Sequence, residues 1–133
     1  MRIFLLLVFC VLCGSAFAYP LSQETASVSV RVMLERGGVL NGKEVEVCAY
    51  VVANRHGMVL MDAPDSQEGM PMEISDAISS RRDVRDLLDL SRQTWLGKRM
   101  RIQGFFKGVI RSNSTGLFFE LKEVRYVTGG DEN

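Results

Sequence analysis

Residues 42–50 read Gly-Lys-Glu-Val-Glu-Val-Cys-Ala-Tyr, and residues 97–105 read Gly-Lys-Arg-Met-Arg-Ile-Gln-Gly-Phe. Each stretch begins with glycine and lysine, carries apolar or small residues at every second position and ends on an aromatic residue. A period of two is typical of strands with one buried face. The sequence therefore predicts two related β-strands, from Lys43 to Val52 and from Lys98 to Lys107.

Outward from these two strands, shorter apolar runs predict three more, over 58–61, 72–74 and 117–127. Between the third and fourth strands, Ser80 is the predicted helix cap with Asp83 as its weak capping-box partner, and Gly97 ends the helix. The apolar stripe of that helix consists of Val84, Leu87 and Leu88. This order predicts a mainly β protein, a five-stranded OB-fold-like Greek-key barrel with one helix between strands 3 and 4. Another small α+β barrel is the alternative.

The first and fourth strands of such a barrel are neighbours, so their side chains can be compared. The residues predicted to face the core are Val45, Val47, Ala49 and Val51 in the first strand and Met100, Ile102, Gly104 and Phe106 in the fourth. Glu44 and Glu46 point the other way, as do Arg99 and Arg101. Opposite charges on adjacent strands contribute roughly 0.2–1 kcal/mol per pair. We therefore expect the two glutamates to pair with the two arginines.

The pattern Gly-Lys-x-Val-x-Val-x-small-aromatic-Val from Gly42 to Val51 resembles the opening strand of small exported bacterial OB-fold domain proteins, a family of uncharacterised function. The second glycine-lysine strand, at Gly97, fits as their fourth strand. The resemblance covers about residues 41–127, and Ala49 stands where those domains often have glycine. It implies the fold and an envelope or secreted setting, and it brings no catalytic residue.

The N-terminal residues have the three parts of a secretory signal. Arg2 precedes an apolar run over 3–13, and small residues follow up to Ala18. We predict a signal peptide over 1–18, an extended lead-in over 19–40, an OB-fold domain over 41–127 and a flexible tail over 128–133. The apolar run is too short to span a bilayer as a helix, so we expect an exported protein, periplasmic or extracellular, with no membrane span after cleavage.

Charge and cysteine content narrow the function classes. The chain has 16 basic and 16 acidic residues, and loss of Arg2 leaves 15 − 16 = −1. This balance disfavours a strongly basic polyanion binder. Cysteines 10 and 13 leave with the signal, so Cys48 has no intramolecular partner. We expect it to be buried, since a free cysteine behaves as a small hydrophobe; an intermolecular disulfide is the alternative.

No catalytic or metal-binding pattern emerges from the residues. His56 is the only histidine, in a predicted turn, and spacing joins it to no serine or aspartate. One cysteine and one histidine do not make a structural zinc site. The acidic run from Asp62 to Asp76 lacks the spacing of an EF-hand loop and predicts a solvated loop. We therefore expect no enzyme activity, no metal and no cofactor.

The leading hypothesis is a non-catalytic binding module for an envelope protein, a peptide or a saccharide. By analogy with the fold, its site lies at loops 1–2 and 4–5, with Arg55 and His56 in the first loop and Arg111 and Asn113 in the second. The alternative is a single-stranded nucleic-acid binder that uses a different set, Arg99, Arg101 and Phe105. The acidic run near strands 2 and 3 weighs against it. A structural partner domain, dimeric through an edge strand or Cys48, is a third reading, and Asn113 also begins a glycosylation sequon.

Overall fold

The computed structural model describes residues 27–131. The predicted signal peptide lies outside them, as do residues 19–26 of the predicted lead-in. The strands are β1 (Glu44–Asn54), β2 (Gly57–Met61), β3 (Met70–Glu73), β4 (Met100–Asn113) and β5 (Gly116–Asp131). The helices are α1 (Val30–Glu35), α2 (Gly37–Leu40), α3 (Asp76–Ser79) and α4 (Arg82–Trp95). Within 27–131, no helix has the length and apolar content needed to cross a membrane.

The strands close into a barrel in the order β1-β2-β3-β5-β4, with β4 returning to β1. β3 and β5 run parallel, and the other neighbouring strands run antiparallel. The pairing of β3 with β5 completes the barrel. The two strands can run parallel because a long crossover, which includes α3 and α4, separates them in the chain. The predicted mainly β, OB-fold-like barrel with a helix between strands 3 and 4 is confirmed.

The barrel interior follows the predicted alternation along the strands. The four residues of β1 predicted to face inward are buried, and Ile102, Gly104 and Phe106 of β4 are buried as well. The ring of Phe106 lies where a Cβ on Gly104 would stand, 2.3 Å from its Cζ. Phe119 from β5 is likewise fully buried. Two large rings therefore fill the centre of the barrel, and a glycine makes room for each of them, Gly104 for Phe106 and Gly108 for Phe119.

The direction of the β1–β4 pairing contradicts one prediction. The two strands are antiparallel, so the start of β1 lies beside the end of β4, and Glu46 is opposite Lys107. The expected pairing of Glu44 and Glu46 with Arg99 and Arg101 is therefore wrong, because both arginines belong to the opposite end of β4. The similarity of the two sequence stretches suggests that equivalent residues lie side by side. In antiparallel strands, however, the start of one strand lies beside the end of the other.

The two glutamates still form ion pairs, with other partners. Lys107 Nζ lies 2.9 Å from Glu44 Oε1, and Arg125 from β5 lies 3.2 Å from Glu46 Oε1. Each pair joins neighbouring or next-neighbouring strands. Opposite charges thus do pair across strands, but the cations are Lys107 and Arg125, which lie at the same end of the barrel as the two glutamates.

Helix α4 packs against β5, β1 and β4 and covers one end of the barrel. Val84 and Leu87 are fully buried and Leu88 partly so, as the apolar stripe predicts. The predicted cap differs: Ser80 ends α3, and α4 begins at Arg82 without a side-chain cap. The carboxylate of Asp83 accepts a hydrogen bond from the barrel, at the Val124 amide, instead of from the start of the helix at Ser80.

The N-terminal segment differs from the extended lead-in predicted over 19–40, because part of it is helical. Ser29 caps α1 by accepting a hydrogen bond from the Val32 amide at 3.1 Å, and the helix begins at Val30. Val30 and Met33 are buried in the barrel core. The spacing of three residues between Val30 and Met33 suits a helix. So short a stretch fits a helical and an extended pattern equally, and burial against the barrel decides between them.

A carboxylate from β2's end holds this helix in place. Both oxygens of Asp62 accept hydrogen bonds from the first helical amides, at 2.8 Å from Val30 and 2.9 Å from Arg31. These amides have no partner within the helix. Asp62, the first residue of the predicted acidic loop, therefore caps the start of α1, which the sequence alone did not indicate.

The C-terminal end of β5 also extends further than predicted. Residues 128–131, predicted as part of a flexible tail, pair with residues 100–103 of β4. The alternation of the sequence stops at Val127, but the long partner strand β4 offers free backbone groups beyond that point. The extra pairs lengthen the outer surface formed by β1, β4 and β5.

Candidate functional site

The first predicted binding loop is a tight turn. Arg55 and His56 are exposed between β1 and β2, and the side chain of Asn54 accepts a hydrogen bond from the His56 amide at 2.7 Å. This Asx-type bond explains the turn locally. Neither Arg55 nor His56 forms a salt bridge with a described residue.

The second predicted loop is the β4–β5 hairpin. Asn113 Oδ1 accepts hydrogen bonds from the Thr115 amide at 2.9 Å and the Gly116 amide at 3.1 Å. The hairpin lies beside the start of β1, whereas the turn at Arg55 follows its end. The strand register therefore places the two predicted loops toward opposite ends of β1, and they do not form one site along this strand.

Arg111 lies in a cavity of about 440 Å³ together with Glu73, Ile74 and Phe118. Its Nε lies 2.8 Å from Glu120, which also binds Lys122 at 2.8 Å. Hydrogen bonds from Lys122 and Arg111 hold the pKa of the Glu120 carboxyl below its usual value. The charge of Arg111 is thus already compensated within the protein.

A different surface gathers aromatic side chains. We call the outward side of β1, β4 and β5 the three-strand face. The register aligns Cys48 with Phe105 and Phe105 with Tyr126, and in the next row Tyr50 with Gln103. The rings of Phe105 and Tyr126 stack with their centroids 6.2 Å apart and their planes at 19°. Outward positions on adjacent strands bring them together, as expected for a cross-strand aromatic pair.

The position of Cys48 contradicts the expectation that it is buried. It is exposed on the three-strand face, because its neighbours Val47 and Ala49 occupy the inward positions of β1. Its Sγ lies 3.8 Å from the Tyr126 hydroxyl. This contact raises the pKa of the Tyr126 phenol above its usual value, through the hydrogen bond first and the charge of the thiolate second.

One end of the three-strand face opens into a cavity of about 440 Å³ between β1, β4 and the end of α4. We call it the corner groove. The residues that line it include Tyr50, Val52, Ala53, Pro64, Thr94, Lys98, Arg99 and Arg101. Its shape has two local causes. Thr94 Oγ1 donates a hydrogen bond to the Ala53 carbonyl at 3.0 Å, which ties α4 to β1. Gly97 has φ of 86°, which lets the chain leave the helix and enter β4.

Two cations at the corner groove, Lys98 and Arg99, have no ion-pair partner among residues 27–131. Lys98 and Arg99 are exposed, and no carboxylate of residues 27–131 lies within ion-pair distance of either. Arg101 lines the same groove. By contrast, the cations farther along the sheet are all ion-paired: Lys107, Arg111, Lys122 and Arg125.

Apolar side chains are exposed around the same groove. Val52 in its wall is 43% exposed, and Trp95 and Leu96, adjacent in sequence to Thr94 and Gly97, are 56% and 74% exposed. Apolar surface that is clustered, rather than scattered, marks interaction sites on soluble proteins. The groove therefore has two cations without an ion-pair partner among residues 27–131, and exposed apolar side chains lie in its wall or next to it in the chain.

The alternative residue set of the sequence analysis thus lies on one surface. Arg99 and Arg101 line the groove, and Phe105 lies further along the three-strand face. The sequence reasoning missed the end of α4. Trp95 and Leu96 could have indicated it. They are two large apolar residues immediately before a helix-ending glycine, a position where side chains are seldom buried in the core.

Within residues 27–131, no three histidine, cysteine, aspartate or glutamate side chains are grouped closely enough to hold a metal ion. The chain matches no protein-family model, no curated protein and no solved structure.

Proposed function

We propose that this protein is an exported, non-catalytic binding module whose ligand occupies the corner groove and the adjoining three-strand face. The observation that carries the proposal is that Lys98 and Arg99, which have no ion-pair partner among residues 27–131, line one groove with the exposed apolar side chain of Val52. Cations attract an anionic group, and apolar surface gains free energy when a ligand covers it.

The cavity is of a suitable size for this role. Binding cavities for small ligands commonly have volumes of roughly 300–1,000 Å³, with apolar walls and a few polar groups that fix orientation. The corner groove, at about 440 Å³, lies within that range. The loop site at Arg55, His56, Arg111 and Asn113 stays a prediction, and the internal ion pair of Arg111 makes it less suited to an anionic ligand.

A second candidate function is single-stranded nucleic-acid binding. It is favoured by the stacked Phe105 and Tyr126 on the same face as Arg99 and Arg101. Proteins of this kind combine base-stacking aromatic residues with a basic groove, and salt weakens their binding steeply.

The test uses Trp95, the only tryptophan in the chain and the exposed neighbour in sequence of the groove residue Thr94, as a fluorescent reporter. Purified protein is titrated at low and moderate salt with three anionic probes: an acidic peptide, a sulfated oligosaccharide and a twelve-residue oligothymidine. We expect at least one probe to shift the Trp95 emission. The double variant Lys98→Glu, Arg99→Glu should lose that response.

The matched control is Lys43→Glu, an equally exposed cation at the start of β1. It removes the same type of charge at the opposite end of that strand. A response that survives reversal at Lys98 and Arg99, or that Lys43→Glu abolishes equally, contradicts the proposed site. Absence of any response to all three probes contradicts the proposal as a whole.

A further inference from the structure

We infer that the corner groove binds a short acidic segment of a partner polypeptide that carries an apolar side chain between its carboxylates. This inference rests on the proposed function and names the class of ligand for the same site. It follows from how charge and apolar surface are distributed over the three-strand face.

The two ends of that face differ in how far their charged side chains are paired within residues 27–131. Lys98 and Arg99 lie at the groove, whereas the opposite end carries Glu44 and Glu46 on β1. These two glutamates are already bound to Lys107 and Arg125. A polyphosphate strand running along the face would therefore leave its favourable contacts after a short distance. A ligand with a few carboxylates at one place matches the charge better.

The aromatic pair points to the same conclusion. Phe105 and Tyr126 stack on each other across neighbouring strands, so the ring faces that they share are not available to a base. Sequence-tolerant binding of single strands depends on successive free stacking surfaces. The pair instead forms a firm apolar floor beside Tyr50, next to the groove.

The apolar part of the groove selects for more than charge. Val52, Ala53 and Pro64 contribute to its wall, and Thr94 closes one side through its bond to the Ala53 carbonyl. An apolar side chain placed there covers surface that is now exposed to water. Acidic neighbours of that side chain in the ligand then reach the rim cations, Lys98 and Arg99. Only a ligand that alternates both kinds of group uses the whole site.

The acidic loop of the protein itself does not fill this role. Its run from Asp62 to Asp76 contributes Pro64 to the groove wall, but Asp62 is occupied with the amides of α1. No carboxylate of this loop forms an ion pair with Lys98 or Arg99. Among residues 27–131, the two cations are therefore open to acidic groups of a ligand.

The experiment compares synthetic peptides on the purified protein, with Trp95 emission and calorimetry as readouts. The first peptide has a leucine flanked on both sides by aspartate and glutamate. In the second, serine replaces the leucine; in the third, asparagine and glutamine replace the acidic residues. A twelve-residue oligothymidine is the fourth probe. We expect the first peptide to bind at least about tenfold more tightly than either altered peptide.

Variants then place the binding. Lys98→Glu with Arg99→Glu should weaken the first peptide by about tenfold or more, and Lys43→Glu should change it by less than about twofold. Val52→Ser should reduce the preference for leucine over serine. Unchanged circular dichroism and thermal unfolding of each variant show that the barrel is intact.

The outcomes separate the inference from the proposed function. If only oligothymidine binds, and its binding depends on Lys98 and Arg99, the peptide inference is overturned while the binding site stands. If the three peptides bind equally, the predicted ligand chemistry is wrong. If the first peptide binds but the double variant binds it as well as wild type, both the inference and the proposed site are overturned.

Discussion

The carboxylate of Asp83 in the first turn of α4 accepts a hydrogen bond from the backbone amide of Val124 in β5, at 3.0 Å. The same carboxylate accepts two hydrogen bonds from the guanidinium of Arg81, at 2.8 and 3.1 Å. Arg81 in turn donates to the Lys122 carbonyl at 2.8 Å. One acidic side chain therefore connects the helix that covers the barrel end to the strand beneath it.

This connection predicts a pH dependence of stability. Partial burial opposes ionisation of Asp83, but the hydrogen bonds from Val124 and Arg81 outweigh it, so the pKa lies below its usual value. A carboxyl whose pKa is lowered by folding stabilises the protein above its unfolded pKa, about 3.9, and loses this contribution as pH falls through the folded value. We expect Asp83→Ala to lower the free energy of unfolding by about 1–2 kcal/mol at pH 7. Urea denaturation at pH 7 and at pH 3 measures both effects.

The matched control for that prediction is Asp86→Ala, an exposed aspartate one turn along the same helix. It should change stability by less than about 0.5 kcal/mol. The difference between wild type and Asp83→Ala should shrink below pH 4. A difference that stays constant down to pH 2 would show that the ionised carboxylate does not carry the effect.

Gly108 in β4 has a packing role that predicts a large effect of one methyl group. A Cβ at this position would lie 2.5 Å from the Glu120 carbonyl oxygen and 2.5 Å from the buried ring of Phe119. The backbone oxygen has little room to shift, because it belongs to the neighbouring strand. We expect Gly108→Ala to destabilise the protein by about 1–3 kcal/mol. Thermal or urea unfolding provides the measurement.

Gly38→Ala serves as its comparison, since nothing lies within 4 Å of a Cβ added there. That variant should be as stable as wild type, or more stable by up to about 1 kcal/mol. Equal stabilities for the two alanine variants would mean that β4 and β5 do not approach as closely at Gly108 as the structure indicates.

Met33 tests whether the N-terminal helix is part of the barrel core. Its side chain is fully buried, and Asp62 holds the start of the helix. Removing a buried methionine side chain leaves a cavity, so Met33→Ala should cost about 2–5 kcal/mol. Val39→Ala, at a site 70% exposed in the following helix, should cost less than about 0.5 kcal/mol. A cost below 1 kcal/mol for Met33→Ala would contradict the docking of α1.

Cys48 is predicted to react with a water-soluble disulfide reagent while the protein is folded. The thiol is exposed on the three-strand face, and access decides whether a thiol is modified without unfolding. We expect one equivalent of native reactivity that disappears in Cys48→Ser. If that equivalent appears only after denaturant is added, the thiol is covered. A Cys48-linked dimer, which the sequence analysis raised, would appear on a non-reducing gel.

The barrel could be predicted from the sequence because its strands follow a local rule. Residues such as Val45, Val47, Ile102 and Phe106 occupy every second position, and their burial follows from the pleat of the strand whatever its neighbour is. The helix start was less predictable. Ser80 is a residue type that caps helices, but Asp83 bonds to the Val124 amide, which is far away in the chain, and a local preference does not include that tertiary contact.

The candidate site depended on relationships that no local pattern contains. Thr94 lies near the end of a helix and Tyr50 belongs to the first strand, yet both line one groove with Lys98 because α4 packs against β1 and β4. The sequence ranked the loop residues Arg55, His56, Arg111 and Asn113 above Arg99, Arg101 and Phe105. The ion pair of Arg111 with Glu120 weighs against one residue of the first set, and it exists only after β4 and β5 are paired.

By itself, the sequence determined the order of the five strands with helical structure before the fourth, and the alternation and buried side of the first and fourth strands. These properties follow from the two-residue period of a strand and the spacing of the helix, which act over a few residues. Only the tertiary structure decided that Glu44 and Glu46 meet Lys107 and Arg125, that Cys48 is exposed, and that Lys98 and Arg99 have no ion-pair partner among residues 27–131. The reason is that the direction and register of strand pairing set the distance between charges far apart in the chain.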